Sequence, residues 1–252
     1  MIRFGAILAA IAFLTATAAQ AGPFSDWAAI VVAGDNHAAG GGQTEVFDNG
    51  RRDLSKALTD AGFSSQNILQ FSIQADKYAD PKPISARPFR NVVEQFQSLT
   101  QRARGGCLIY FTSHGSPQGI VVGDGLLPPS QLATVIDDAC GKRPTVAVIS
   151  ACFSGIFVPD LEWPNRMVMT AARPDRTSFG CGATDRYTYF DDCFLQSLKA
   201  SNNLQDLSAK VPVCVSEREK VEHASPPSEP QVSIGPQMRA SLPLYSFAKP
   251  PS

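Results

Sequence analysis

The groups with most chemical potential in this 252-residue chain are one cysteine, two histidines and an asparagine, each just past an apolar run. The stretch TVAVISACFSGIF, Thr145 to Phe157, ends a β-branched run on Ser150-Ala151-Cys152 and follows it at once with Ser and Gly. Asp35-Asn36-His37 follows WAAIVVAG, and Ser113-His114-Gly115 follows CLIYFT. A thiol with an ordinary pKa near 8.5 is a weak nucleophile at neutral pH until an imidazole favours its thiolate. The chain has three His, and two of them fall at such strand ends. Gly115 contributes differently: with no side chain, its N–H can approach a substrate carbonyl, and the Cys152 N–H can do the same from the other side. Two such donors make an oxyanion hole. Thiol, imidazole, amide and paired N–H groups form the inventory of a nucleophilic hydrolase.

For these residues to meet, the runs that carry them must lie side by side. The Ile- and Val-rich stretch Trp27 to Gly34 reads as a strand buried on both faces. After it, Phe47, Leu54, Ala57, Leu58 and Ala61 recur at helical spacing, with Thr44 placed as N-cap and Gly62 as the stop. NILQFS predicts the next strand, and DKYADPKPISARP a Pro-rich excursion. A helix from Arg90 to Ala103, presenting Val92, Val93, Phe96 and Leu99, leads into the strand CLIYFTS. GIVVGDGLLPP predicts a hairpin turning on Gly123-Asp124-Gly125. Ser130 is placed to cap a helix that stops at Cys140-Gly141. TVAVIS and RMVMTAA are further strands, and QVSIG, inside the Pro-rich segment 225–252, is a candidate edge strand. Strands alternating with helices predict an α/β fold, a mostly parallel sheet with helices on both faces. In such a sheet, ligands bind where the carboxyl ends of the strands converge.

The first 21 residues carry Arg3, an apolar run from Ile7 to Leu14 and an Ala19-Gln20-Ala21 end, the pattern of a secretory signal peptide. The run is shorter than the roughly 20 apolar residues that span a bilayer, so no stable membrane insertion is expected after cleavage. The remaining length, about 230 residues, suits one large α/β domain. A net charge of -1 with 18% charged residues leaves no basic stripe for nucleic acid. Six cysteines in an exported chain predict disulfides. With Cys152 kept as a thiol, a second cysteine must also be free, and Cys107, inside an apolar run, reads as a small buried core residue. Cys140, Cys181, Cys193 and Cys214 could then pair in three ways.

FTSHGS, the Cys of SACFSG 38 residues after its His, TAARPDRTSFGC and YTYFDDC together resemble the legumain (asparaginyl endopeptidase, haemoglobinase) family of cysteine peptidases, within the caspase-like clan. The resemblance runs from about Trp27 to Leu198 and is nearest the bacterial exported members. It implies a caspase-like three-layer sandwich with a six-stranded sheet, in a peptidase domain spanning residues 22–224, that hydrolyses peptide bonds in peptide or protein substrates without a cofactor. On matching positions, Cys152 is the nucleophile, His114 the proton acceptor and donor, Gly115 an oxyanion donor and Asn36 the residue that orients the His. Ser178 and Asp192 match the primary specificity pocket. Legumains that cleave after Asn carry an acidic residue just before the His-Gly and a Glu two residues before the nucleophile, where this chain has Ser113 and Ser150. Strict Asn selectivity is therefore not expected, and Asp192 alone favours a basic or amide side chain. Because the resemblance places the loop between Cys181 and Cys193 beside that pocket, the expected bridges are Cys181 to Cys193 and Cys140 to Cys214.

Other readings compete. AGDNHAAGGGQTE is a Gly-rich loop between strand and helix, as in nucleotide or phosphate binders, yet it has neither G-x-G-x-x-G nor Gly-Lys-Ser/Thr. Gly40-Gly41-Gly42 reads instead as a flexible rim to the cleft. A non-catalytic peptide-binding relative would share the fold, although such relatives commonly lose part of the machinery. Cys152, His114 and His37 would be the ligands of a metal site, but no C-x-x-C or H-x-x-x-H spacing supports one. His223 reads as a solvated residue of a charged helical stretch.

Overall fold

The computed structural model describes residues 22–79 and 81–248; the stretch read above as a signal peptide, residues 1–21, lies outside them. From the start, β1 (Trp27–Ala33) leads through α1 (Val46–Asp60) to β2 (Ile68–Ser72). The two-residue strand β3 (Ile84–Ser85) and α2 (Phe89–Arg102) precede β4 (Gly106–Thr112). A small antiparallel sheet follows, made of β5 (Gly115–Ser116), β6 (Gly119–Val122) and β7 (Gly125–Leu127). Then come α3 (Pro129–Cys140), β8 (Thr145–Ser150), the single turn α4 (Val158–Leu161) and β9 (Arg166–Thr170). Helices α5 (Tyr189–Ala200) and α6 (Leu204–Val221), strand β10 (Gln231–Ile234) and α7 (Pro236–Ser241) complete the chain.

The main sheet has seven strands in the order β10-β9-β8-β4-β1-β2-β3, parallel except for β10. The count corrects the expected six. Six of the seven are the runs anticipated above, including the C-terminal edge strand; the seventh, β3, sits inside the Pro-rich excursion and pairs only Ile84 and Ser85 with the end of β2. Strands β1, β4 and β8 are buried along their whole length, as a β-branched run needs when both faces are covered. On one face lie Leu54 and Leu58 of α1, Phe190 and Phe194 of α5, and Leu207 and Val211 of α6. On the other lie Val92 and Phe96 of α2, Leu132 and Ile136 of α3, and Leu161 of α4.

Two caps differ from expectation. Helix α1 starts one residue late, with Glu45 as its N-cap, while the Thr44 hydroxyl accepts from the Val46 N–H at 3.3 Å. Helix α3 begins at Pro129 rather than being capped by Ser130, because proline presets the first helical φ and needs no N–H partner there. Gly62 does stop α1, with φ of +108°, and Gly141 stops α3 with φ of +56°.

The disulfides overturn the expected pairing. Cys107 bonds Cys140, and Cys193 bonds Cys214, with Cα separations of 6.2 and 5.6 Å. Helix α3 returns its last residue to the start of β4, where the Cys107 N–H donates to the Pro144 carbonyl. The apolar setting of Cys107 is thus that of a buried bridge, since a disulfide is as hydrophobic as a thiol. Helices α5 and α6 pack on one another and join through the second bridge, leaving Cys152 and Cys181 free.

Candidate active site

Strands β4 and β8 pair in parallel from Cys107↔Thr145 to Thr112↔Ser150. His114 and Cys152 each lie two residues beyond the last pair, so the two chains carry them past the sheet side by side. They are close at the backbone: a Cβ added to Gly115 would stand 3.0 Å from Ala151 Cβ and 3.1 Å from the Cys152 carbonyl carbon. Only glycine lets the His114-Gly115 segment approach the Cys152 turn this closely.

The imidazole of His114 is held on two sides. Its Nε2 lies 2.8 Å from the His37 carbonyl oxygen. A carbonyl only accepts, so Nε2 carries the proton and Nδ1 remains the basic nitrogen. The Phe47 ring meets the imidazole edge to face, with centroids 5.1 Å apart. The His37 carbonyl is set by the loop after β1, where Asp35 Oδ1 accepts from the Asn36 N–H at 2.7 Å and the His37 N–H at 3.2 Å, and pairs with His37 Nδ1 at 2.6 Å. Asn36 joins this loop through its main chain, its carbonyl accepting from the Thr44 N–H at 2.9 Å. The group that orients His114 is therefore the main-chain carbonyl one residue further on, a backbone partner that residue type does not reveal. Gly41 and Gly42, with φ of +88° and +80°, shape the same loop, and the Ala39 N–H ties it to the Cys181 carbonyl at 2.9 Å.

Cys152 ends its strand on a tight turn. Phe153, directly after it, has φ of 59° and ψ of 11°, a left-handed conformation that costs a non-glycine residue about 1 kcal/mol or more. The turn is held against that cost: the Phe153 N–H donates to the Arg176 carbonyl at 2.7 Å, and buried Ser154 accepts from the Ala172 N–H at 3.1 Å. The Ser178 N–H donates to Cys152 Sγ at 3.3 Å, and the Ser178 hydroxyl lies 3.6 Å from the same sulfur.

Ser178 thus joins Cys152, whereas the Asp192 carboxylate is paired with Arg218 of α6, whose guanidinium also lies 4.2 Å from the centre of the Tyr189 ring. Ser150 is buried under the site and shares a hydrogen bond of 3.2 Å with Thr188. Two residues were not anticipated. Cys181 packs beside Ala33, Val46 and Phe47, and burial, then the neighbouring Cys152 sulfur, push its thiol up to about 11. Asp191 is fully buried and accepts hydrogen bonds from Tyr110 at 2.7 Å and Thr112 at 2.5 Å.

Comparison with known proteins agrees with this architecture. The crystal structure of caspase-1 from Spodoptera frugiperda is similar in fold, with a TM-score of 0.59 at 14% identity over 85% of this chain and 88% of that one. No curated protein matches the sequence at a significant level. The model of the Peptidase C13 family matches residues 89–222, more than half of the chain, a span that includes His114, Gly115, Cys152 and Ser178 and excludes Asn36. The chain therefore belongs to the Peptidase C13 family, the legumain family of cysteine peptidases.

Proposed function

We propose that the protein is an exported endopeptidase that cleaves peptide bonds through Cys152 and His114. The observation that carries this reading is the contact between His114 Nε2 and the His37 carbonyl oxygen. With Nε2–H spent on the His37 carbonyl, Nδ1 is left to take the thiol proton. The thiolate attacks the scissile carbonyl carbon, and the carbonyl π electrons move to oxygen. The N–H groups of Gly115 and Cys152 receive that charge, in the manner of an oxyanion hole. Collapse expels the amine, which leaves with the proton from Nδ1, and a thioester remains on Cys152. Water, deprotonated by Nδ1, then releases the acid and regenerates the thiol. Export is supported by the N-terminal pattern and by the two disulfides, which persist in oxidising compartments. That compartment is the periplasm of a Gram-negative cell or the extracellular space.

Profiling cleavage of a mixed peptide library tests the reading. Cys152→Ala and His114→Ala are each expected to remove activity while the melting temperature holds, because either loss dismantles the activated nucleophile. Unchanged cleavage by Cys152→Ala would refute the mechanism and leave a peptide-binding role for the same cleft.

A further inference from the structure

Beneath the nucleophile lies a carboxyl group that the reaction above does not use. Asp191 sits in the first turn of α5, has no exposed surface, and accepts from Tyr110 and Thr112 of β4 at 2.7 and 2.5 Å. Its own N–H donates to the Thr188 hydroxyl at 3.0 Å, which in turn lies 3.2 Å from the Ser150 hydroxyl of β8. Thr112 stands two residues before His114, and Ser150 two before Cys152. One buried cluster therefore grips both strands at the same height, one step below the two reacting side chains. Helix α1 makes room for it: a Cβ on Gly50 would stand 2.7 Å from Asp191 Oδ2. Glycine inside a helix costs about 0.5–1 kcal/mol relative to alanine, so the helix gives up stability to admit the carboxyl. Burial also raises the carboxyl's pKa, against the pull of the hydroxyls. A carboxyl placed there at such cost does more than stabilise a helix start, which an exposed acid in the first turn would also do.

We infer that Asp191 is a positioning residue for the proposed hydrolysis: by tying Thr112 directly, and Ser150 through Thr188, it fixes the spacing of His114 and Cys152. The inference rests on the cysteine peptidase reading. A purely structural carboxyl would alter activity only as far as it alters the folded fraction. A positioning carboxyl alters kcat in a fold that remains intact.

The test uses Asp191→Asn, Thr112→Val and Thr112→Ser in the full chain, with three measurements: kcat and KM on a cleaved peptide, the rate of Cys152 alkylation by iodoacetamide at pH 7, and the melting temperature. Asp191→Asn keeps the shape but exchanges an acceptor for a donor, and Thr112→Val removes the hydroxyl. Each is expected to lower kcat about tenfold or more, as sub-ångström misplacement does, with KM little changed. Alkylation of Cys152 should slow in parallel, while Thr112→Ser, which restores the hydroxyl, stays near the parent. If Asp191→Asn fails to fold, the Val and Ser variants at Thr112 decide, because they leave Asp191 in place. Folded variants with parental kcat and alkylation rates, or a Ser variant as impaired as Val, would overturn the inference. The underlying reading fails separately, through cleavage that survives in Cys152→Ala. Alkylation needs no substrate, so the contrast between Val and Ser still decides in that case.

Discussion

Gly115→Ala offers the sharpest test of the site's geometry, because the added atom has nowhere to go. Its Cβ would stand 3.0 Å from Ala151 Cβ and 3.1 Å from the Cys152 carbonyl carbon. The nearest obstacle is the Cys152 carbonyl oxygen, which the added Cβ would overlap, and relaxed carbon–carbon contact needs about 3.5–4.0 Å, so the His114-Gly115 segment and the Cys152 turn must separate by about 1 Å or more. All three obstacles are main chain or Cβ, so no rotamer change relieves them. A displacement of about 1 Å between reacting groups costs roughly a hundredfold in rate, and the overpacking itself about 1–3 kcal/mol of stability. The variant should therefore melt a few degrees lower yet lose kcat by far more than its unfolded fraction explains. Gly40→Ala is the matched control, since a Cβ there meets nothing within 4 Å and should leave both quantities unchanged. Parental kcat in a folded Gly115→Ala protein would refute the placement of the oxyanion donor.

At pH 7, iodoacetamide should label Cys152 ahead of Cys181. The Cys181 thiol is pushed up to about 11, first by burial and then by the Cys152 sulfur, so its thiolate grows only as the pH rises toward that value; mass mapping that finds Cys181 modified first would contradict the assignment. Non-reducing peptide mapping should recover Cys107 with Cys140 and Cys193 with Cys214, and a link from Cys181 to Cys193 would refute it. The bridges close separations of 33 and 21 residues, worth roughly 3–4 kcal/mol each on the chain-entropy account, so reduction should lower the melting temperature by about 10 °C or more. Arg218→Ala releases the Asp192 carboxylate from its ion pair, and cleavage beside basic or amide side chains should then rise about fivefold relative to other sites, the worth of a partly exposed pair. An unchanged cleavage profile would remove Asp192 from substrate selection.

The runs that became β1, β4 and β8 were legible because strands covered on both faces must be apolar throughout. The thiol and imidazole at their ends stood out because both groups are rare and conspicuous. Strand β3 was hidden for the opposite reason: two residues carry no periodicity. The partner of His114 was hidden too, being a main-chain carbonyl that any residue at position 37 would supply. Asp191 and Asp192 are adjacent acids in one helical turn, and residue type does not tell which one is buried. The faint sign was Gly50 within an otherwise regular helical pattern, since a glycine there marks a close approach. The bridges were misread because burial of Cys107 describes a disulfide as well as it does a thiol, and pairing depends on where α3 and α6 return their ends.

The parallel pairing of β4 with β8 has a consequence for the history of the chain. The pairing holds a constant offset of 38 positions from Cys107↔Thr145 to Thr112↔Ser150, and the same offset separates His114 from Cys152. That number is only the length of what lies between the strands: the small three-stranded sheet, α3 and their turns. Insertions or deletions in those connections change the count without moving either side chain, and surface connections tolerate such changes. A single residue inserted within β4 or β8 behaves otherwise, since it shifts every later partner and turns the strand's faces over. Lineages descended from a common ancestor of this chain should therefore vary freely in the interval from His to Cys, while gaps inside the two strands should be absent.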